Sequence, residues 1–418
     1  MKIVVFLNTL GLGGTEKAAC LWAIGLQKRG HGVTVLTLQD GPRRARLESA
    51  NVAVRIAANN AEDLASQLGT LSPDVIHAHT PGFPHVGDVL GDALAKQPRK
   101  IPVVQTNVFG RLENPAEDAW TDYRLFISWT SCVQAAQRAF LPLDETLFRR
   151  TSVAVYPVYP AEAPPAEAVK KFRHKLGVRE DEMLFGRFSR PEPNKWTSLA
   201  LDAFRLALRS NRKIKLLLRE PPPNIAAALR TASDAAHFVV LPVTVDGEEL
   251  HLTMAATDVV LHTSSIGESF GYGIAESMNL AKPVITHSVP WADQAQIELV
   301  RHGECGFVTS TPATMAQAIV QLANDDALRQ RMGLTAQQYI RELANPNVSI
   351  NRLEATLSNA IARLDNPAAS EDLYMAKRAA TYLSAEQFGH SLWEQIALRP
   401  FYYRAGFHQW RHRRLTHR

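Results

Sequence analysis

Two carboxylates flank a glycine-rich turn in the second half of the chain, within residues 267–276. Glu268 and Glu276 have seven residues between them, among them Gly271 and Gly273. Glycines let a backbone approach a ligand closely, and free N–H groups at the start of a helix attract a diphosphate. A carboxylate only accepts hydrogen bonds, so two of them beside a diphosphate suit the hydroxyl groups of a sugar and a ribose. The stretch therefore predicts a phosphate and sugar site.

The elements around this turn follow from the hydrophobic pattern. The apolar run 257–262 predicts a buried parallel strand, and residues 274–281 have helical character that Pro283 cannot continue. This order of strand, loop and helix places Glu268 on the loop and Glu276 about two turns into the helix. Both carboxylates are then carried by one strand-to-helix connection.

The segment resembles the Glu-x7-Glu signature of retaining glycosyltransferases of family 4, whose fold is GT-B. The resemblance implies an α/β protein of two Rossmann-like, doubly wound parallel-sheet domains that face each other across a cleft. It also implies sugar transfer from a nucleoside diphosphate sugar to an acceptor hydroxyl with retention at the anomeric carbon. The resemblance further implies that no bound metal is needed. No cofactor is expected either, because the nucleotide sugar is a co-substrate.

The alternation of apolar strands and helical segments supports two such domains. Strands are expected at residues 3–7, 33–38, 52–57, 74–77, 102–106, 125–128 and 152–158, and the alternation restarts at Met183. Four prolines between residues 156 and 165 mark the linker. We therefore expect an acceptor domain at 1–160, a linker at 161–168 and a donor domain at 169–365. Residues 366–418 should form a helical crossover and a tail.

The resemblance carries site residues over to this chain. The catalytic residues that it implies are Glu268, Arg187, Arg190 and Lys195. Arg187 and Arg190 are alternatives, because the interval from Arg187 to Lys195 is longer than the usual spacing in the family. The donor-binding residues that it implies are Gly13, Gly14, Val245, Ser269, Phe270, Gly271 and Glu276. Glu268 would hold hydroxyls of the donor sugar, and Glu276 would hold the ribose.

A second glycine-rich loop follows the first predicted strand, at residues 8–16. It is not a nicotinamide fingerprint, because Glu16 stands where the third glycine is required. It is similar to the Gly-x-Gly-Gly-x-Glu loop of family 4. His79 and Asn107 are the expected acceptor-binding residues, although the family commonly has a histidine just after the position of Thr106. Asn107 stands there and does not shuttle a proton at neutral pH.

Composition narrows the protein class. The 418 residues are 46% hydrophobic and 21% charged, with a net charge of +5, which is ordinary for a globular protein of two or three domains. The three cysteines lie far apart without metal-ligand spacing. No apolar run approaches the ~20 residues of a membrane span, and the start is too short for a signal peptide. We expect a cytoplasmic location.

The last twenty residues carry six arginines and five aromatic residues without an acidic residue. This mixture suits an anionic membrane at its inner face, and a tail that packs on the protein's own surface is the alternative. Nucleic acid is not expected as a partner, although transfer of glucose to DNA stays open as a use of the tail. The acceptor is a glycan, a lipid or a small molecule, and cell-surface polysaccharide or glycolipid synthesis is the expected setting.

Two other functions are compatible with the same fold. The first is a catalytically inactive protein that binds a nucleotide sugar or a glycan, which would account for the missing histidine. The second is a sugar-nucleotide epimerase of GT-B-like fold, which would need no acceptor.

Overall fold

The computed structural model describes residues 1–81, 88–112, 115–244, 246–290 and 292–383. Two compact units divide these residues. Unit 1 comprises Met1–Pro157 and Ala344–Tyr382, and unit 2 comprises Val158–Leu343. Within the described ranges, no helix combines the length and the apolar character that crossing a membrane requires.

Unit 1 is built on a seven-stranded parallel sheet. Its strands are β1 (Lys2–Thr9), β2 (Gly32–Gln39), β3 (Ala53–Ile56), β4 (Val75–Thr80), β5 (Val103–Asn107), β6 (Tyr123–Phe126) and β7 (Thr151–Val153). The helices of this part of the chain are α1 (Gly14–Lys28), α2 (Arg44–Ser49), α3 (Ala61–Leu71), α4 (Val89–Ala95), α5 (Pro115–Trp120), α6 (Trp129–Arg138) and α7 (Glu145–Phe148). The strand order is β3-β2-β1-β4-β5-β6-β7. The order reverses between β1 and β4, and such a switch point is where open α/β sheets bind ligands.

Unit 2 repeats the plan with six parallel strands. These strands are β8 (Met183–Phe188), β9 (Ile214–Arg219), β10 (Phe238–Leu241), β11 (Val259–Leu261), β13 (Val284–His287) and β15 (Gly306–Thr309), and β12 (Gly267–Glu268) pairs separately with β14 (Asp293–Gln294). The α-helices are α8 (Ala166–Lys175), α9 (Leu199–Ala207), α10 (Pro223–Thr231), α11 (Gly247–Ala256), α12 (Tyr272–Asn279), α13 (Ala295–Leu299), α14 (Pro312–Asn324) and α15 (Asp326–Leu343), with short 3₁₀ helices at Pro193–Lys195 and Ala235–His237. The order β10-β9-β8-β11-β13-β15 puts the switch point between β8 and β11.

Each sheet buries an apolar face under helices. In unit 1, Val4 and Phe6 of β1 pack with Leu64 of α3 and Leu90 of α4. In unit 2, the sheet packs against α9 and α14, with Phe204 among the residues of that core. Strands buried under helices read as nearly continuous apolar runs, which is why they are predictable from sequence. The prediction of two Rossmann-like α/β domains is confirmed.

The chain returns to unit 1 earlier than we expected. Helices α16 (Pro346–Ala362) and α17 (Ala369–Tyr382) both belong to unit 1, whereas we expected the second domain to continue to residue 365. Trp22 Nε1 donates to Ser349 Oγ at 2.8 Å, and Ser349 Oγ donates to the carbonyl of Val155 at 2.6 Å. These buried hydrogen bonds attach α16 to unit 1, so the division falls at Leu343 instead.

Two predicted strands end at least two residues earlier in the structure. The strand that we expected at 125–128 ends at Phe126, because the side chain of Ser128 accepts from the N–H of Ser131 and caps α6. The strand that we expected at 152–158 ends at Val153. The basic aromatic tail lies outside the described residues, so its membrane contact stays a prediction.

Candidate active site

The carboxyl ends of β8 and β11 bring together residues that are far apart in the sequence. Arg187 lies in β8, Lys195 ends the 3₁₀ helix that follows, and Glu268 lies in β12 beyond β11. Because β8 and β11 are neighbours at the switch point, the connections that follow them share one edge of the sheet. This edge of unit 2 is the candidate active site.

One oxygen of Glu268 holds two polar partners. Lys195 Nζ lies 2.9 Å from Glu268 Oε1, and His262 Nε2 lies 3.0 Å from the same oxygen. A carboxylate cannot donate, so Nε2 of His262 carries the proton that is shared with Glu268. The other ring nitrogen, Nδ1, then accepts from Thr286 Oγ1 at 3.3 Å. The imidazole is thus fixed in one tautomer, and Glu268 is fixed in one orientation.

The charges of this network are set by burial and by neighbouring groups. Burial raises the pKa of Glu268, but Lys195 and His262 outweigh it and lower this pKa from 4.5 to about 2. Burial also lowers the pKa of His262, although its hydrogen bond to Glu268 opposes the shift. At neutral pH the network therefore holds a carboxylate and a neutral imidazole.

Backbone geometry fixes the position of Glu268. Gly267 has φ of 60°, and a Cβ there would come within 1.6 Å of the backbone oxygen of Asp293. Only glycine fits such a left-handed position next to a paired strand. The N–H of Glu268 donates to Gln296 Oε1 at 3.0 Å. The position of Glu268 is therefore held by the pairing of β12 with β14 and by a side chain of α13.

Helix α12 starts directly after this turn. Gly271, at φ of 102°, is its N-cap residue, and no side chain in the described part of the chain caps the helix. The start of a helix favours anions through its N–H groups and its dipole. Ser269 and Phe270 lead into this start, and their contact with a diphosphate stays a prediction. Glu276 is the fifth residue of α12, so it lies just over one turn into the helix rather than two.

The two candidate arginines differ in exposure. Arg187 is 1% exposed, and its guanidinium lies 4.2 Å above the ring of Trp196. It donates to the carbonyl of Thr263 at 2.7 Å and to the carbonyl of Lys195. Burial lowers the pKa of Arg187 to about 9, against the opposing charge of Glu268, so it remains a cation at neutral pH. Arg187 therefore ties together the two connections that carry the site.

Arg190 lies at the surface and pairs with a neighbouring carboxylate. Its side chain is 57% exposed and pairs with Glu192 at 2.9 Å. Exposed pairs of this kind contribute little energy. The structure thus brings Arg187, and not Arg190, next to the backbone of Lys195.

The predicted glycine loop lies in unit 1, at the start of α1. Gly13 is the N-cap residue of this helix, and Gly14 is its first residue. Arg43 holds the loop by donating to the carbonyls of Gly11 at 2.9 Å, Leu12 at 3.0 Å and Gly13 at 3.3 Å. A guanidinium that spans three carbonyls fixes the loop in one conformation.

The two predicted acceptor residues are both buried. Asn107 is buried, accepts from the N–H of Arg111 at 2.9 Å and donates to the carbonyl of Arg111. The side chain of Asn107 therefore joins the two ends of the segment 107–111. His79 is 4% exposed, and both ring nitrogens are buried without a partner among the described residues. Burial lowers the pKa of His79 to about 3, so the ring is neutral. Val245 lies outside the described residues.

His262 and Gln296 contact Glu268 but were not among the predicted site residues. His262 directly follows the apolar strand β11, and a polar residue at the carboxyl end of a buried parallel strand is a signal for a site. Gln296 has no such signal, because it lies on α13 and meets Glu268 only through the fold.

Two family models match the chain, the first mostly on unit 1 and the second within unit 2. Residues 13–170 match the glycosyl transferase 4-like domain, and residues 181–325 match the glycosyl transferases group 1 domain. Together these ranges cover well over half of the chain. The chain is a glycosyltransferase of the GT-B type. A sequence comparison with curated proteins finds no match for this glycosyltransferase.

Solved structures show the same fold. The Anabaena protein HepE in complex with UDP-glucose has a TM-score of 0.69 at 21% identity, over 85% of this glycosyltransferase and 99% of HepE. A glycosyltransferase from Rickettsia africae has a TM-score of 0.69 at 15% identity, over 86% and 98% of the two chains. WaaG, a glycosyltransferase involved in lipopolysaccharide biosynthesis, has a TM-score of 0.62 at 15% identity, over 83% and 99%. At these identities the likeness establishes the fold.

Proposed function

We propose that this glycosyltransferase moves a sugar from a nucleoside diphosphate sugar to an acceptor hydroxyl with retention at the anomeric carbon and without a metal. The observation that carries the proposal is the network of Lys195, Glu268 and His262 beside the start of α12. It combines a cation and a helix start for a diphosphate with a carboxylate for sugar hydroxyls. A UDP-sugar is the donor we propose, in line with the UDP-glucose held by HepE.

Each group in the network has a separate role in this proposal. Both described partners of the Glu268 side chain contact Oε1, which leaves Oε2 to accept from a hydroxyl of the donor sugar. Lys195 uses N–H groups on Oε1 and on the carbonyl of Gly267 at 3.2 Å. An ammonium has three protons, so one remains for the diphosphate. Glu276 holds the ribose. Arg187 keeps Lys195 in place by donating to its backbone carbonyl.

The chemical step needs no further group from the chain. The bond between the anomeric carbon and the phosphate oxygen breaks, and its electron pair stays on the diphosphate. The acceptor oxygen bonds to the same face of the anomeric carbon, and its proton passes to the departing phosphate oxygen. Cations and backbone N–H groups near the diphosphate stabilise the negative charge that develops there, a contribution of ~3 kcal/mol for a well-placed donor.

We place the reaction in cell-surface polysaccharide or glycolipid synthesis, at the cytoplasmic face of the membrane. This setting is supported by the likeness to WaaG, a glycosyltransferase involved in lipopolysaccharide biosynthesis. The composition of the C-terminal tail also supports it, because basic and aromatic residues together suit an anionic membrane surface.

The test begins with the donor. UDP-, GDP- and ADP-sugars are ranked by thermal shift, and nucleotide release from the best donor is followed with candidate acceptors. Glu268→Gln should lower turnover by about 100-fold or more, because it removes the charge that orients the donor sugar. Donor affinity should change much less. Glu304→Gln, which alters an exposed carboxylate of unit 2, is the matched control.

The configuration of the product, read by NMR, tests retention directly. An inverted product would refute the proposed stereochemistry, and normal turnover in Glu268→Gln would refute the role of the carboxylate. Donor binding without nucleotide release under any acceptor would favour the inactive binding protein.

A further inference from the structure

A cavity in unit 1 opens at the switch point of its sheet. The cavity has a volume of about 460 Å³ and is bordered by the ends of β1, β2 and β4. This volume lies within the ~300–1,000 Å³ that is typical of small-molecule sites. The connections after β1 and β4 leave the sheet in opposite directions, which opens a crevice where ligands bind in such folds. Position and size together indicate a candidate binding site within unit 1.

The lining of the cavity combines an apolar floor with exposed amides. Phe6 and Leu90 are buried core residues beneath it, and the half-buried Trp120 forms part of its wall. Asn8 and Gln39 line the cavity and are exposed, as is Asn59. An amide both donates and accepts, so it matches a hydroxyl group in either direction. An aromatic ring packs against the C–H face of a sugar, since both surfaces are apolar.

The charges on the lining have one sign. Asp88 and Glu117 are the charged residues among those described around the cavity, and neither lysine nor arginine is among them. Asp88 accepts from Trp120 Nε1 at 2.7 Å, which fixes the indole against the cavity. Glu117 accepts from Thr80 at 2.9 Å. A phosphate or carboxylate on the ligand would meet acceptors of its own charge without a described cation to pair with.

We propose that this cavity binds a neutral, hydroxyl-rich sugar ring, and that this ring belongs to the acceptor. The inference rests on the proposed function, which requires a second substrate, and it deepens that function by naming the acceptor class. The sugar unit next to the transfer point carries hydroxyl or acetamido groups and no phosphate or carboxylate. His79 borders the cavity, and both of its ring nitrogens are buried without a described partner.

The experiment measures binding of monosaccharide glycosides to the full chain by saturation-transfer NMR and calorimetry. The neutral probes are the methyl glycosides of glucose, galactose, mannose and N-acetylglucosamine, and the anionic probes are methyl glucuronide and glucose 6-phosphate. At least one neutral probe should bind saturably and about tenfold or more tighter than either anion. In the double variant Gln39→Ala/Asn59→Ala, the affinity should fall by about tenfold, because hydrogen bonds to the hydroxyls are lost.

Gln137→Ala is the matched control, since Gln137 is an exposed glutamine of unit 1 outside the cavity lining. It should bind the neutral probes like the wild type. Preferential binding of an anion, or wild-type affinity in the double variant, would overturn the assignment, as would an equal loss in the control.

Nucleotide binding, measured on the same samples, separates this inference from the proposed function. Intact nucleotide binding without a preference for neutral sugars rejects the cavity assignment alone. Intact sugar binding without binding of any nucleotide sugar rejects the proposed function instead.

Discussion

His262 should orient Glu268, and replacing it tests that role. The hydrogen bond between His262 Nε2 and Glu268 Oε1 is 3.0 Å long, and the two side chains are 6% and 16% exposed. In His262→Ala, Glu268 keeps Lys195 and loses its second partner. The carboxylate stays charged at pH 7, but it is free to rotate about the remaining contact. The expected loss is therefore one of orientation.

The size of the effect follows from this one bond. A hydrogen bond to a charged group contributes about 1.5–3 kcal/mol. Since about 1.4 kcal/mol corresponds to a factor of ten in rate, turnover in His262→Ala should fall by roughly 10- to 100-fold. His262→Gln offers an N–H group in place of Nε2, so it should recover part of the loss. His237→Ala, which removes a histidine with one backbone hydrogen bond elsewhere in unit 2, is the matched control.

A pH profile distinguishes orientation from a general loss of stability. Burial raises the pKa of Glu268, whereas Lys195 and His262 lower it to about 2, so the wild-type carboxylate stays charged throughout the mildly acidic range. Without His262 this pKa rises toward its ordinary value of 4.5. The charged form is lost as pH falls through the pKa. The activity of His262→Ala should therefore decline between pH 6 and 4 more steeply than that of the wild type.

The assay is nucleotide release from the best donor at saturating acceptor, repeated across this pH range, with thermal melting of each variant as a check on folding. Wild-type turnover in His262→Ala, together with an unchanged decline of activity between pH 6 and 4, would refute the role of His262 in orienting Glu268. Losses of the same size in His262→Gln and in His237→Ala would refute it as well, because the effect would then not depend on the N–H donor.

Two further predictions concern the loops that carry the proposed site. Arg43→Lys should lower transfer by about tenfold, because lysine cannot span three loop carbonyls. The control is Arg44→Lys, which alters exposed ion pairs at the start of α2, next to Arg43, and should leave transfer unchanged. Steady-state rates of the two variants measure this difference, and equal rates would contradict the role of Arg43. Gly267→Ala should lower the free energy of unfolding by roughly 2–4 kcal/mol, because a Cβ would lie 1.6 Å from a backbone oxygen at a φ of 60°. Urea unfolding measures this loss, and a value below about 1 kcal/mol would contradict the strain.

Local signals in the sequence were sufficient for the fold. The second run of alternating elements was predicted to begin at Met183, which is where β8 begins in the structure. Strands buried on both faces produce apolar runs, so their positions follow from the pattern of apolar residues along the chain. The predicted end of a strand was wrong where a side chain caps the helix that follows. Ser128 caps α6, and the preceding strand ends before it. The path of α16 also escaped prediction, since its contact with Trp22 joins segments more than 300 residues apart.

The sequence by itself determined that this is a two-unit α/β protein with a carboxylate beside a glycine turn and a helix start. Tertiary structure decided which side chains complete the network. Arg187 and Arg190 look alike in the sequence, but one is buried under Trp196 and the other is exposed. Lys195 reaches Glu268 because the neighbouring parallel strands β8 and β11 end at one edge of the sheet, and the sequence spacing of residues does not specify which side chains meet there.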